Sequence, residues 1–401
     1  MTRTGRMQDA EKHWASFMLT PEKPKRNDLV PFEVLGEIFS YISCDGPLHL
    51  RHVLLVCRLW YHSVVNHPKL WCNIAVDEIF LRRFHHRSML GRGSRFLGLC
   101  ISRSGDLPLH LVVSGRHVSL NSLVRLSHVS NVLRLLARRH TPSGEYAMSH
   151  LESIHWRVCE DDEEISLFRA YFPAQLPRLR VLSIRALFLE HRIYDIGVPF
   201  PQCPKLQEVY LVDHFEERPY FTEEIFARVR LLDYTGPYGR GWTLYDVVCI
   251  GRFAALHTLV LRDVGMANGV LLRLPGLETL NVTQVELARL QVLRTIGPVP
   301  SIIFCHLEVP ALQTLQFQSN IFKYDSLATF GAPSMVQNVQ NLYLSLTGWQ
   351  GRQGEQATLI EELLSACVML ERVYASVFIY ERLPTHSLPA NAALLLDPDF
   401  M

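Results

Sequence analysis

The stretch Leu29-Val30-Pro31-Phe32-Glu33-Val34-Leu35, continued by Ile38-Phe39, by Val56-Cys57-Arg58-Leu59-Trp60 and by Pro68-Lys69-Leu70-Trp71, decides how this chain begins. Asn27 or Asp28 can cap a helix, and Pro31 suits its first turn. Apolar residues then recur at Val34, Leu35, Ile38, Phe39 and Ile42, which paints one helix face and spills onto a second. A second helix can carry Leu50, Val53, Leu54 and Cys57, and a third Trp60 and Val64. A helical unit of about 45 residues is marginal alone, so its surplus apolar surface calls for a docked partner. Trp60 and Trp71 read as internal packing. Leu35, Ile38 and Phe39 read as partner contacts, because three helices cannot enclose both faces of the first.

These submotifs, a Pro-x-Glu-hydrophobic helix start, Val-Cys-Arg-x-Trp and a closing Leu-Trp, resemble an F-box over residues 28–75. Val30 stands where Leu usually precedes the Pro. The resemblance implies a three-helix domain that docks on the adaptor subunit of an SCF-type (cullin–RING) ubiquitin ligase, and through the adaptor on a cullin. It assigns the adaptor contact to Pro31, Leu35, Ile38, Phe39, Val56, Cys57 and Trp60.

At 401 residues the chain exceeds one compact domain. Its 48% apolar content supports a large core, and a net charge of +1 argues against a global electrostatic role at nucleic acid or membrane. Nine cysteines without a C-x-x-C pair fit reduced thiols, hence cytoplasm or nucleus, better than a disulfide framework. Residues 1–27 read as a tail without a signal peptide's apolar core, and no stretch reaches the length of a membrane span.

Beyond the box a degenerate frame, apolar at i, i+3 and i+5, recurs nine times: Leu151-Ile154-Trp156, Leu179-Leu182-Ile184, Leu206-Val209-Leu211, Val229-Leu232-Tyr234, Leu256-Leu259-Leu261, Leu277-Leu280-Val282, Leu312-Leu315-Phe317, Val339-Leu342-Leu344 and Leu370-Val373-Ala375. The mean spacing of roughly 27 residues lies in the range of leucine-rich repeats. Of the 27 positions at i+2, i+4 and i+6, only seven are apolar, where composition alone gives about 13. Strand alternation therefore survives a test independent of how the frame was chosen. Helical character between strands (Asp162 to Tyr171, Thr222 to Phe226, Thr358 to Cys367) makes the fold class α/β. The expectation is a parallel concave sheet with outer helices over residues 106–380, a solenoid whose units bury their apolar faces against neighbours. Residues 76–105 read as a basic linker carrying Arg82, Arg83, Arg87, Arg92 and Arg95, followed by a strand at 107–113 and a helix around 123–138. Residues 381–401 read as a C-terminal tail. The whole arrangement resembles the F-box proteins with degenerate leucine-rich repeats that abound in mushroom-forming fungi.

No catalytic signature appears: no H-E-x-x-H, G-x-S-x-G, G-x-x-x-x-G-K or G-x-G-x-x-G. His85-His86 reads as a solvated pair rather than metal ligands, Cys57 as packing rather than a nucleophile, and Gly236 to Gly241 as a repeat loop. The expected function is thus non-catalytic, without metal or cofactor: a substrate receptor whose array recruits a protein target. A scaffold acting outside ubiquitination is the alternative. Nucleic-acid association through the arginines, with Phe84 and Phe96 for stacking, is the less favoured one. The target is expected at outward strand positions in the C-terminal half, Gln316, Gln318, Asn341, Tyr343, Arg372 and Tyr374, with Trp349 on the following glycine-rich loop.

Overall fold

The computed structural model describes residues 30–43, 47–84, 89–114, 122–158, 175–186, 202–212, 223–235, 250–262, 285–296, 307–318, 336–345, 353–376 and 388–396. The chain divides into two compact units: Met1–Val112 with Arg116–Ala147, and Val113–Gly115 with Met148–Met401.

The first unit opens with α1 (Phe32–Ser43), a 3-10 turn (Pro47–Leu50), α2 (Arg51–Leu54), α3 (Arg58–Val65) and a second 3-10 turn (Pro68–Trp71). Their core gathers Leu35, Phe39, Leu50, Val53, Val64, Leu70 and Trp71, all buried. Trp71 satisfies its indole N–H on the Val64 carbonyl at 2.8 Å, which lets a large side chain be buried without an orphaned donor. Gly36 is required by close approach: a Cβ there would lie 2.5 Å from the His67 ring.

The segment read as a basic linker is folded and packed. It holds β1 (Asn73–Val76), α4 (Glu78–Arg83) and α5 (Leu90–Ser104), followed by β2 (Leu109–Val113) and α6 (Ser122–Arg138). Asp77 caps α4, its carboxylate accepting from the Phe80 amide at 2.8 Å. Phe80, Leu81, Phe84, Leu97, Cys100 and Ile101 are buried, while Arg82, Arg83, Arg92 and Arg95 stay outside. The arginine run is therefore the wet face of amphipathic helices. His128 of α6 enters this core: it lies edge-on to Phe80 at 5.0 Å and hydrogen-bonds the Phe84 carbonyl at 3.1 Å. Burial lowers its pKa from the ordinary value of 6.5, with the Phe84 bond opposing. The strand and the helix expected after the linker are present as β2 and α6.

The second unit is built on a parallel ladder of ten strands: β3 (Leu151–Val158), β4 (Val181–Ala186), β5 (Glu208–Val212), β6 (Leu231–Thr235), β7 (Thr258–Arg262), β9 (Val292–Ile296), β11 (Thr314–Gln318), β12 (Asn341–Ser345), β13 (Arg372–Ala375) and β14 (Ala393–Leu396). A separate parallel pair joins β8 (Val285–Glu286) to β10 (Leu307–Glu308). Register aligns Ile154, Leu182, Val209, Leu232, Leu259, Leu293, Leu315, Leu342, Val373 and Leu394 in one row, which is the i+3 position of the repeat frame. Rows at i and i+5 flank it, so the apolar triplets stack into a continuous core. Each fully buried side chain of this kind contributes on the order of 2 kcal/mol.

Two differences from the sequence frame concern which residues form strands. β7 pairs directly with β9, leaving no place between them for Leu277-Leu280-Val282, which lies outside the described residues. The unit at that point is Leu290-Leu293-Thr295, hidden from an apolar filter by a threonine that is buried and donates to the Gln316 carbonyl at 3.5 Å. The ladder also continues past residue 380, because β14 pairs with β13.

A turn starts most of the units. The amide of the frame's first residue donates to the carbonyl three places earlier: Leu179 to Leu176 at 3.3 Å, Leu206 to Cys203 at 3.1 Å, Leu312 to Val309 at 3.0 Å and Leu370 to Cys367 at 3.3 Å. Those earlier residues are buried, and the exposed Pro177, Pro204 and Pro310 occupy the second turn position, where their fixed φ is preorganised. Burial pushes the thiols of Cys203 and Cys367 up to about 12, so they pack here as small hydrophobes. Between β12 and β13, α8 (Gln353–Ala366) buries Ile360, Leu363 and Leu364; α7 (Glu223–Phe226) is one turn that buries Ile225 and Phe226. The helix expected over 162–171 lies outside the described residues.

Candidate functional site

Two surfaces carry the residues singled out by sequence, one in each unit. On α1 the two faces separate cleanly. Leu35 and Phe39 point inward, 4% and 1% exposed, and Phe39 packs on Trp60 with ring centroids 5.1 Å apart. Expected at the partner contact, these two lie in the interior: at i and i+4 they form the side that meets α3 and the second 3-10 turn. The neighbouring stripe, Val34, Ile38, Tyr41 and Ile42 at i, i+4, i+7 and i+8, faces outward, with Ile38 49% and Tyr41 82% exposed. Beyond α2, Leu55 and Val56 are exposed as well, Val56 at 58%.

Of the seven residues expected at the adaptor contact, Pro31, Ile38, Val56 and Cys57 are exposed and Trp60 is half-buried. Cys57 was expected to pack on an apolar face. It is instead an exposed residue in extended conformation immediately before α3, because the chain must leave its helical path there to start the next helix. Val34, Tyr41, Ile42 and Leu55 are exposed apolar residues that the sequence reading did not single out for a contact. The helical spacing of the first three was readable, but which of two adjacent apolar stripes faces outward was not.

In the second unit the outward strand positions form rows across the ladder. Register sets Arg294, Gln316, Tyr343 and Tyr374 side by side on β9, β11, β12 and β13, and Asn341 beside Arg372 one pleat away. The Tyr343 and Tyr374 rings stack, centroids 4.3 Å apart and planes 7° from parallel. A hydrogen bond to Tyr374 raises the pKa of the exposed Arg372 guanidinium above its ordinary value. Gln318 ends β11, while Trp349 lies outside the described residues. Arg294 escaped the sequence reading with the unit that holds it.

Towards the N-terminal strands the same face is internally paired. Arg262 grips Asp233 through two hydrogen bonds of 2.6 and 2.7 Å. Tyr210 donates to Glu208 at 3.0 Å, and its pKa is pushed up to about 12, first by burial and then by that carboxylate. Such a tyrosine is neither base nor nucleophile at neutral pH. Among the described residues no group of three or more His, Cys, Asp or Glu could hold a metal ion, and no helix is long and apolar enough to cross a membrane. His85-His86, Gly236 to Gly241 and the acidic run at Glu160 to Glu164 lie outside the described residues. Phe84, which stacking on nucleic acid would require at the surface, is buried against Phe80.

Comparison with known proteins agrees with the first unit's geometry. Residues 28–77 match the family model described as F-box-like. The match ends just after the second 3-10 turn and β1, so the chain carries an F-box-like domain at its N-terminal end. No curated protein matches the chain.

Proposed function

We propose that this chain is a non-catalytic substrate receptor of an SCF-type ubiquitin ligase. Its F-box-like domain docks on the adaptor subunit, the adaptor links it to a cullin, and the strand ladder recruits a protein target. The chemistry is then supplied by proximity, the receptor holding the target near the ubiquitin-charged enzyme. The observation that carries this reading is the apolar stripe of Val34, Ile38, Tyr41 and Ile42 with Leu55 and Val56, left outside a domain that matches the F-box-like model. Contiguous exposed apolar surface on so small a module marks a protein interface. Pro31, Ile38, Val56 and Cys57 belong to this contact, while Leu35 and Phe39 support it from beneath. The target surface is the outward row of Gln316, Tyr343 and Tyr374 with Asn341 and Arg372. Free thiols at Cys57, Cys72, Cys100, Cys203 and Cys367 accord with work in the cytoplasm or nucleus.

Co-expression with an adaptor subunit and a cullin tests the proposal. The intact chain should co-purify with both. Ile38→Glu combined with Val56→Glu should lose both while keeping the melting profile of the parent, since both positions are exposed. Retention of the adaptor by that double variant would refute the assignment. Capture of the adaptor without the cullin would point to a scaffold outside ubiquitination.

A further inference from the structure

Positive charge in this chain is concentrated in one segment. Residues 79–147 hold eleven arginines, no lysine and two acids, a net charge of +9 in a chain whose total is +1. The packing of α5 and α6 gathers part of it, all within the first unit. Arg139, just past the end of α6, reaches across to α5: its Nη1 donates to the Gly98 carbonyl at 2.9 Å, and a Cβ on Gly98 would lie 2.9 Å from its Nη2. Arg95 stands one turn before Gly98 and is exposed. Arg134 and Arg138 are exposed at i and i+4 on α6, a like-charge spacing that destabilises a helix. After Arg139 the chain folds back, so that Tyr146 meets His140 across an antiparallel bridge with ring centroids 4.4 Å apart, Tyr146 being 54% exposed.

These charges are not cancelled in place. Arg134 and Arg139 donate to neutral oxygens, of Asn131 and Gly98, and among the described residues no carboxylate pairs with them or with Arg95 or Arg138. Of the two acids, Asp106 accepts from the Ser143 amide at 3.0 Å, and Glu145 alternates away from its neighbour Tyr146. Nor does the surface suit a protein partner, whose interface needs an apolar core. Among the described residues α5 and α6 expose one large apolar side chain, Leu99. We infer that this surface binds a single-stranded nucleic acid, its phosphates on Arg95, Arg134, Arg138 and the remaining donors of Arg139, and a base on the Tyr146 ring. Guanidinium forks match phosphate oxygens, and an exposed ring beside them gives a base its platform. That ring is Tyr146 and not Phe84, which is buried. The total charge of +1 hides the surface, because the acids that cancel it lie outside residues 79–147. The inference is independent of adaptor docking and of target recognition by the ladder.

Fluorescence anisotropy on the full chain tests it, with a labelled oligouridine, a DNA duplex and an oligoglutamate of matched length, and vesicles of phosphatidylserine and phosphatidylcholine. The oligouridine should bind most tightly. Its affinity should fall with salt at a log–log slope of about −3, the value for four phosphate contacts on a single strand. R95Q/R138Q should weaken it at least about tenfold, as expected for lost charged hydrogen bonds, and make the slope shallower by roughly 1.4. Tyr146→Ala should weaken it at least about fivefold, the loss of one base–ring contact, and leave the slope unchanged. K205Q/R230Q removes the same charge from exposed positions of the second unit and should change the affinity by less than about twofold, since distant charges are screened. Should R95Q/R138Q shift the melting curve, the single variants R95Q and R138Q are judged in its place. No oligouridine binding up to about 1 mM, indifference to R95Q/R138Q or to Tyr146→Ala, an equal loss in K205Q/R230Q, or tighter binding of the duplex, the oligoglutamate or the vesicles would each overturn the inference.

Discussion

The F-box-like domain and the strand ladder solve the same problem in opposite ways. Both are made of units too small to enclose their own apolar side chains. In the ladder each unit's neighbour is supplied by the same chain, so the triplet rows are buried or half-buried from β3 to β13, and among the described residues the large apolar side chains left exposed are Val368, Met369, Leu395 and Leu396 near the last two strands. In the box no repeat follows to cover Val34, Ile38, Tyr41, Leu55 and Val56, and they remain outside. An apolar stripe is a core when the next element covers it and a binding site when another molecule must.

Splitting the two faces of α1 is the strongest way to break this comparison. Leu35→Ala and Phe39→Ala, both in the interior, should each destabilise the first unit by about 3–4 kcal/mol. That is enough to unfold so small a module, and it is read by denaturant melts of the chain. Substituting the outward Val34 or Tyr41 should change stability by less than about 1 kcal/mol. If inward and outward substitutions destabilise equally, the outward stripe is covered within the chain and is not an interface.

A smaller effect distinguishes how the units handle charge. Asp233→Ala strips Arg262 of a carboxylate it grips with two hydrogen bonds, Asp233 being largely shielded from water. A loss of about 1–3 kcal/mol is expected. Lys69→Ala in the box breaks a pair with Glu37 whose side chains are 66% and 61% exposed, and should shift the melt by no more than about 0.5 kcal/mol. Comparable losses would remove the contrast between a charge pair built into the face and one lying on the surface.

The smallest effect is a pH slope in the first unit. His128 has a native pKa below its ordinary 6.5, so the unfolded chain binds this proton first. Stability should therefore fall as pH drops below about 6.5, and stop falling once the native histidine also protonates. Hydrogen exchange should place the loss in α4, α5 and α6, and His128→Asn should flatten it. A slope unchanged by that substitution would assign the acid sensitivity to other groups.

Much of this molecule was legible in the chain. Pro31 at a helix start, the Val-Cys-Arg-x-Trp run and the Leu-Trp close were enough for the box, because helix starts and apolar spacing are local properties. The ladder was legible through alternation, and the Leu-Pro-x-Leu phrase is a turn whose proline needs only its own fixed φ. Reading failed where a residue's meaning depends on what lies opposite it. Thr295 looked like a break in the apolar frame, yet its buried hydroxyl has a carbonyl acceptor on the next strand. Arg82 to Arg95 looked like a charged linker, yet Phe84 among those arginines and Phe80 and Leu97 on either side of them anchor packed helices. Val34 and Leu35 are equally apolar neighbours 100° apart on a helix. Sequence spacing fixes that both stripes exist, because period follows from backbone geometry. Only tertiary packing decided that Leu35 and Phe39 are buried, Phe39 on Trp60, while Val34 and Ile38 stay exposed, because burial belongs to the facing surface and not to the residue.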